Sequence, residues 1–267
     1  MKRDKPIGVF DSGLGGLTVM KAVIRQLPFE DIVYLGDTAR VPYGTKSKEA
    51  IIRFSLENAS VLMKHHVKMI VVACNSSSSY ALESLREKFP VPVVGVIESG
   101  VTRAVGMTRN NRIGVIATQA TISSGSYARL ISRVSPGVKV VSQACPLFVP
   151  LVEEGWVKRA VTRQVAQEYL KKIKCGRVDT LILGCTHYPL LKAVITGILG
   201  RGVSIVDSAL EVSKLVKALL DERSAGRDTR RAPRYQFLVS DQPEHFQKLA
   251  RRFLGYDIQE VRRIELS

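Results

Sequence analysis

Apolar residues in this chain come in short bursts that alternate with longer amphipathic stretches. Runs rich in Val and Ile at 7–10, 32–35, 69–73, 91–97, 112–117, 138–142, 180–184 and 203–207 predict β-strands. Several of them, IVVA and TLIL included, are apolar without alternation, which suits strands buried on both faces of a parallel sheet. Between them, apolar positions at helical spacing predict helices at 17–27, 47–65, 77–89, 99–108, 121–134, 157–173, 189–199 and 210–222. The polar stretch SAGRDTRRAPR follows, and the end of the chain reads strand 235–239, helix 244–254, strand 258–264. Strands that alternate with helices specify an α/β fold.

Two strand ends are alike. VKMIVVAC runs into NSSSSY, and TLILGC runs into THYPLL. In each, an apolar run ends in cysteine, a polar turn follows and a helix begins. The matching placement predicts two pseudo-symmetric α/β units with parallel sheets, each of three layers. Residues 1–98 with a returning segment at 209–267 are expected to form the first, and 99–208 the second. Ligands of open α/β sheets sit at the carboxyl ends of the strands, so the site is expected in the cleft between the units.

Composition changes this picture little. A chain of 267 residues has ample core for one large or two small domains. Its apolar runs fall far short of the ~20 residues that span a bilayer. The start, MKRDKPIGVFDSG, lacks the apolar region of a signal peptide. A cytoplasmic protein without a membrane partner is therefore expected. The cysteines Cys74, Cys145, Cys175 and Cys185 form no CxxC pair, which argues against a zinc knuckle, a redox motif or a disulfide framework. The net charge of +16 raises nucleic-acid binding as an alternative. The excess lies largely at 158–177 and 223–263 without interleaved aromatics, so a solvated basic face is preferred over a stacking platform.

Four polar turns at strand ends carry the candidate chemistry. In FDSGLGG, Asp11 and Ser12 precede glycines that permit close backbone approach, and the next helix start favours an anion. The spacing is neither GxGxxG nor GxxxxGK[ST], so no nucleotide site follows. In YLGDTARVPYGTKS, Tyr43 and Gly44 are candidate ligand contacts. In ACNSSSSY, Cys74 sits where a helix N-terminus favours the thiolate, with Asn75 and Ser76 beside it. In LGCTHYPLL, Cys185 has the same placement, Thr186 offers a hydroxyl, and His187 can tune the thiol or move a proton. Glu153, after ACPLFVPLV, is a candidate acid/base helper. Each of these also has a plain reading as a cap, a packed cysteine or surface charge. Cys145 and Cys175 are read as structural. The pair changes the balance. One nucleophilic cysteine needs a base and an oxyanion hole, whereas two thiols across one crevice suit proton removal on one face of a carbon and delivery on the other.

The blocks DSGLGGLTV, YLGDTARVPYGTKS, ACNSSSS, VIESG, ACPLFVPLVE and LGCTHYPLL, in this order over nearly the whole chain, resemble the glutamate racemase family of the cofactor-independent aspartate/glutamate racemases. The resemblance implies interconversion of L- and D-glutamate without a cofactor or metal, supplying D-glutamate for peptidoglycan, and a homodimer is expected. It makes Cys74 and Cys185 the acid/base thiols, Cys74 for the D-enantiomer and Cys185 for the L-enantiomer. It implies that Asp11, Glu153 and His187 assist them. Asp11, Ser12, Tyr43, Gly44, Asn75, Ser76, Thr186 and His187 would bind the substrate. The family usually has Thr and then Ala where this chain has Ser76 and Ser77, which keeps one hydroxyl and loses its methyl. VIESG also departs from the family, which often has Pro before the Gly.

Overall fold

The computed structural model describes residues 3–227 and 231–266. The middle of the expected polar stretch, 228–230, lies outside the described residues, as do 1, 2 and 267. The elements in chain order are β1 (Ile7–Asp11), α1 (Leu17–Gln26), β2 (Ile32–Gly36), α2 (Lys48–Lys64), β3 (Met69–Val72), α3 (Asn75–Tyr80), α4 (Leu82–Lys88) and β4 (Val93–Gly95). Next come α5 (Val96–Met107), β5 (Arg112–Ala117), α6 (Gln119–Ser123), α7 (Ser126–Val134), β6 (Lys139–Ala144), α8 (Phe148–Glu153), α9 (Ala160–Cys175) and β7 (Thr180–Gly184). The chain closes with α10 (Lys192–Leu199), β8 (Ser204–Asp207), α11 (Ser208–Glu222), β9 (Tyr235–Val239), α12 (Pro243–Leu254) and β10 (Val261–Arg263). Short 3-10 turns at Thr38–Arg40, Tyr43–Thr45 and Tyr188–Leu191 complete it.

The strands form two sheets, and every strand pair in both is parallel. The first has the order β10-β9-β2-β1-β3-β4 and the second β6-β5-β7-β8. The run β2-β1-β3-β4 repeats as β6-β5-β7-β8, so β3 and β7 hold equivalent places. Each precedes one of the paired cysteines. The chain reverses its direction of winding at β1 in the first sheet and at β5 in the second, and such switch points open a crevice at the strand ends. Fully buried patterns in β1, β2, β3 and β7 follow from their unbroken apolar runs. The sheets share one apolar core, in which Val9 and Met69 join Val115 and Ile182 through Val101 of α5 and Val212 of α11.

Several boundaries differ from the sequence pattern. The strand expected at 91–97 ends at Gly95, and α5 begins at Val96. The apolar run VVGVI continues through that boundary, so it carries no mark of it. The helix expected at 77–89 starts at Asn75 and is broken at Ala81. Its serines bond to backbone carbonyls, Ser78 to Val72 at 3.0 Å and Ser79 to Asn75 at 2.8 Å, and so compete with a continuous helix. The helix expected at 121–134 is two pieces, α6 and α7, divided by Gly125 with φ +65°, a conformation that favours glycine. The helix expected at 189–199 opens as a 3-10 turn before α10. The strand expected at 258–264 spans only Val261–Arg263. Helix α8, which was not among the expected elements, forms with Pro150 in its first turn, where no intrahelical N–H is needed.

At the far end of the first sheet Lys68 is enclosed. Its ammonium donates to the carbonyls of Arg3 and Ala225, both at 2.9 Å, and pairs with Glu30 at 2.6 Å. Three separate segments meet on one buried cation. Lys68→Ala, which strands the Glu30 carboxylate, is expected to cost about 3–5 kcal/mol in urea unfolding. The double change Lys68→Met with Glu30→Leu should restore much of that loss.

Candidate active site

A cavity of about 290 Å³ lies between the carboxyl ends of the two sheets. The space lies at the small end of the roughly 300–1,000 Å³ typical of small-molecule sites. Ser12, Tyr43, Gly44, Cys74, Asn75 and Ser76 line it from the first sheet. Cys185, Thr186, His187 and Glu153 line it from the second. Every residue singled out in the sequence reaches this wall except Asp11, which lies beneath it, 1% exposed. Asp11 accepts the Gly13 N–H at 3.0 Å and leaves its other oxygen buried without a hydrogen-bond partner. Its carboxylate lies close enough to couple electrostatically to Cys74 and His187.

The two halves interlock where their loops cross. A Cβ added to Gly15 would fall 2.1 Å from Thr186 Oγ1 and 2.5 Å from His187 Nδ1. Only a residue without a side chain lets the β1 loop lie this close to the β7 loop. Thr18 fastens the crossing by donating to the Thr186 carbonyl at 3.0 Å. On the far side, Gly44 approaches Thr118 from the second sheet.

The thiols are buried alike and surrounded differently. Cys74 is 6% exposed and Cys185 is 7% exposed. Cys74 caps α3, and its sulfur lies 3.7 Å from Ser12 Oγ. Burial, then the nearby Asp11 carboxylate, pushes the Cys74 thiol up to about 11. Cys185 Sγ lies 3.9 Å from His187 Nδ1, and His187 Nε2 lies 3.0 Å from Glu153 Oε1. Burial pulls the His187 imidazole down, but the Cys185 sulfur and the Glu153 carboxylate outweigh it and raise it to about 10. A cationic imidazolium thus faces one sulfur, and a carboxylate stands behind the other.

Other wall residues are committed to neighbours. The Tyr43 hydroxyl donates to Asp37 and accepts from Asn58 at 3.0 Å. Its contribution to the cavity is therefore ring and backbone, not a free hydroxyl. Asn75 Oδ1 accepts from Tyr127 at 2.7 Å. Ser76 makes a triangle of hydroxyls with Thr118 and Thr121, each side 3.1 Å. Thr118, also on the cavity wall, was missed in the sequence. The available signal was its place right after the apolar run of β5, as a polar residue opening a helix. The apolar wall of Val41, Pro42, Pro146, Val149 and Pro150 also has no chemical signature in sequence. Cys145 is fully buried and Cys175 is exposed at the end of α9. Among the described residues no three His, Cys, Asp or Glu side chains cluster to hold a metal ion.

Residues 7–215 match the model of the Asp/Glu/Hydantoin racemase family. The chain belongs to this family. A glutamate racemase of Geobacter metallireducens is 50% identical over 263 residues, 98% of this chain and 97% of that protein. The crystal structure of a glutamate racemase isoform from Bacillus anthracis superposes with a TM-score of 0.96 at 38% identity, covering 99% of this chain and 98% of that one. A Francisella tularensis glutamate racemase, solved in complex with D-glutamate, gives a TM-score of 0.93 at 41% identity, again over 99% and 98% of the two chains. Within the family this chain therefore stands among the glutamate racemases, and it is an isomerase. No helix of the described residues is long and apolar enough to cross a membrane.

Two predictions follow from the geometry. Gly15→Ala must displace Thr186 and His187, and a shift of about 1 Å is expected to lower racemase kcat/KM on the order of 10²-fold, with a native far-UV circular dichroism spectrum. His187 binds its proton more tightly when folded, at about 10, than an unfolded imidazole near 6.5. Its protonation contributes stability that is fully present below about 6.5 and is lost as pH rises towards about 10. The urea-midpoint difference between wild type and His187→Gln should shrink across that window.

Proposed function

We propose that the protein interconverts L- and D-glutamate by a two-thiol proton transfer at the α-carbon. The observation that carries the reading is that Cys74 and Cys185, at equivalent ends of β3 and β7, line one cavity. Glutamate is the substrate named for the relatives most similar to this chain.

In the L-to-D direction the Cys185 thiolate, with the His187 imidazolium beside it, removes the α-proton. Cys74, held as a thiol by burial and Asp11, delivers a proton to the opposite face. In the reverse direction the roles exchange. The protein spends its binding groups on the substrate's charges. Ser76 and Thr118 of the hydroxyl triangle line the cavity, and their O–H groups turn to a carboxylate when one arrives, with Thr121 behind them. Backbone N–H groups of the Tyr43–Gly44 turn, the Asn75 amide, Ser12 and Thr186 supply the remaining contacts. Glu153 orients His187, and Asp11 acts from beneath. Ser76 in place of the family's usual Thr keeps the donor that the triangle needs. The product serves peptidoglycan synthesis in the cytoplasm.

Circular dichroism at a fixed wavelength follows racemisation of L- and D-glutamate and, in parallel, of aspartate. Glutamate is expected to react in both directions and aspartate far more slowly. Cys74→Ser and Cys185→Ser should each cost roughly 10²–10⁴-fold or more without unfolding the chain. In D₂O, deuterium should enter the product enantiomer and not the recovered substrate. A double Cys→Ser variant that racemised at the wild-type rate would overturn the mechanism. Salt-sensitive DNA binding that survived both cysteine changes, with no racemisation, would favour the nucleic-acid-binding alternative.

A further inference from the structure

The His187–Glu153 pair is touched from outside both cysteine loops. Helix α12 lies beyond the 7–215 stretch that matches the family model, and β9 and β10 on either side of it extend the first sheet. Its last turn reaches across to the second sheet's side of the cavity. Phe253, 2% exposed, packs its ring at 88° to the His187 ring with centroids 5.4 Å apart. Arg252 donates from Nη1 to the Glu153 carbonyl, at the end of α8. That carbonyl is among the four at a helix C-terminus without an intrahelical partner. The chain after it folds onto the guanidinium, for a Cβ on Gly155 would come within 2.9 Å of Arg252 Cζ. Lys21 of α1 in turn donates to the Phe253 carbonyl at 3.3 Å and fastens the end of α12.

We infer that α12 positions the His187–Glu153 pair, with Phe253 fixing the plane of the imidazole and Arg252 fixing the end of α8 that carries Glu153. The inference rests on the reading of Cys185 and His187 as proton-transfer partners. Neither α12 residue lines the cavity, so both act through another group. Without Phe253 the imidazole is free to tilt, and its bridge from Cys185 Sγ at 3.9 Å to Glu153 Oε1 at 3.0 Å loses alignment. Without Arg252 the end of α8 is free to drift, and Glu153 with it. The charged and titratable groups around His187 are Cys185 on its own loop, Glu153 from α8 and Asp11 from β1. Arg252 and Lys21 approach from α12 and α1, each with its charge on a backbone carbonyl.

The test follows the His187 imidazole by NMR against pH in the unliganded full chain, beside kcat/KM with glutamate. Phe253→Leu keeps apolar volume and removes the ring. Arg252→Gln removes the cation at an exposed position where folding is not at stake. Each is expected to move the His187 titration down by about one pH unit or more, tenfold weaker proton binding, and to lower kcat/KM in parallel. Arg252→Lys, which still donates to the carbonyl, should titrate like wild type. If both substitutions leave the His187 titration in place, and only the melting temperature falls, α12 is a structural cover and the inference fails. The titration is read without substrate, so its failure is distinct from failure of the two-thiol mechanism, which the cysteine variants report.

Discussion

The site depends on one close crossing, the β1 glycine loop against the β7 Cys-Thr-His loop. With Gly15 there, the backbone of the β1 loop passes the Thr186 and His187 side chains of the β7 loop within the space of a missing methyl group. Everything chemical is indexed to that contact. It brings the Asp11 charge of one unit near the His187 of the other. It also holds Thr186 against Thr18 and sets how far the β3 end stands from the β7 end. The hydroxyl triangle of Ser76, Thr118 and Thr121 ties the same two units on the other side of the cavity. The cleft is therefore bounded by two inter-unit fastenings, and a continuous apolar core lies behind it.

The duplicated plan places the sulfurs symmetrically, and the second layer of residues then breaks the symmetry. Asp11 disfavours negative charge at Cys74, while His187 and Glu153 place a cation beside Cys185. Thermodynamics limits what this asymmetry can do. L- and D-glutamate have the same free energy in water, so the equilibrium constant is one and kcat/KM must be equal in the two directions. A difference between the thiols can appear in kcat and KM separately, and in the protonation state in which the free enzyme rests.

Much of this was legible in the sequence because the relevant signals are local. An apolar run that ends in cysteine, followed by a polar turn, marks a buried parallel strand and the crevice at its end. The two such marks agree with the equivalent positions of β3 and β7. What was not legible depends on distance in space. The commitment of the Tyr43 hydroxyl to Asp37 and Asn58 joins residues by folding, not by spacing. Thr118 opens a short helix, and nothing nearby marks it as a neighbour of Ser76. Asp11 looks like an open-ended polar residue in FDSGLGG, but the turn folds its carboxylate under the loop. The boundary between β4 and α5 is hidden inside a run that is apolar on both sides of it.

The burial of both sulfurs has a consequence for successive turnovers. In the two-thiol mechanism each conversion leaves the protein with its mobile proton on the other sulfur. An enzyme that has just made the D-enantiomer is set to make the L-enantiomer. To repeat the same conversion it must first exchange one proton with solvent, and each thiol is less than a tenth exposed. In that mechanism the walls that bury the two thiols also separate them from the reservoir that resets them. Under the two-thiol mechanism the fold carries a one-proton memory of its last product.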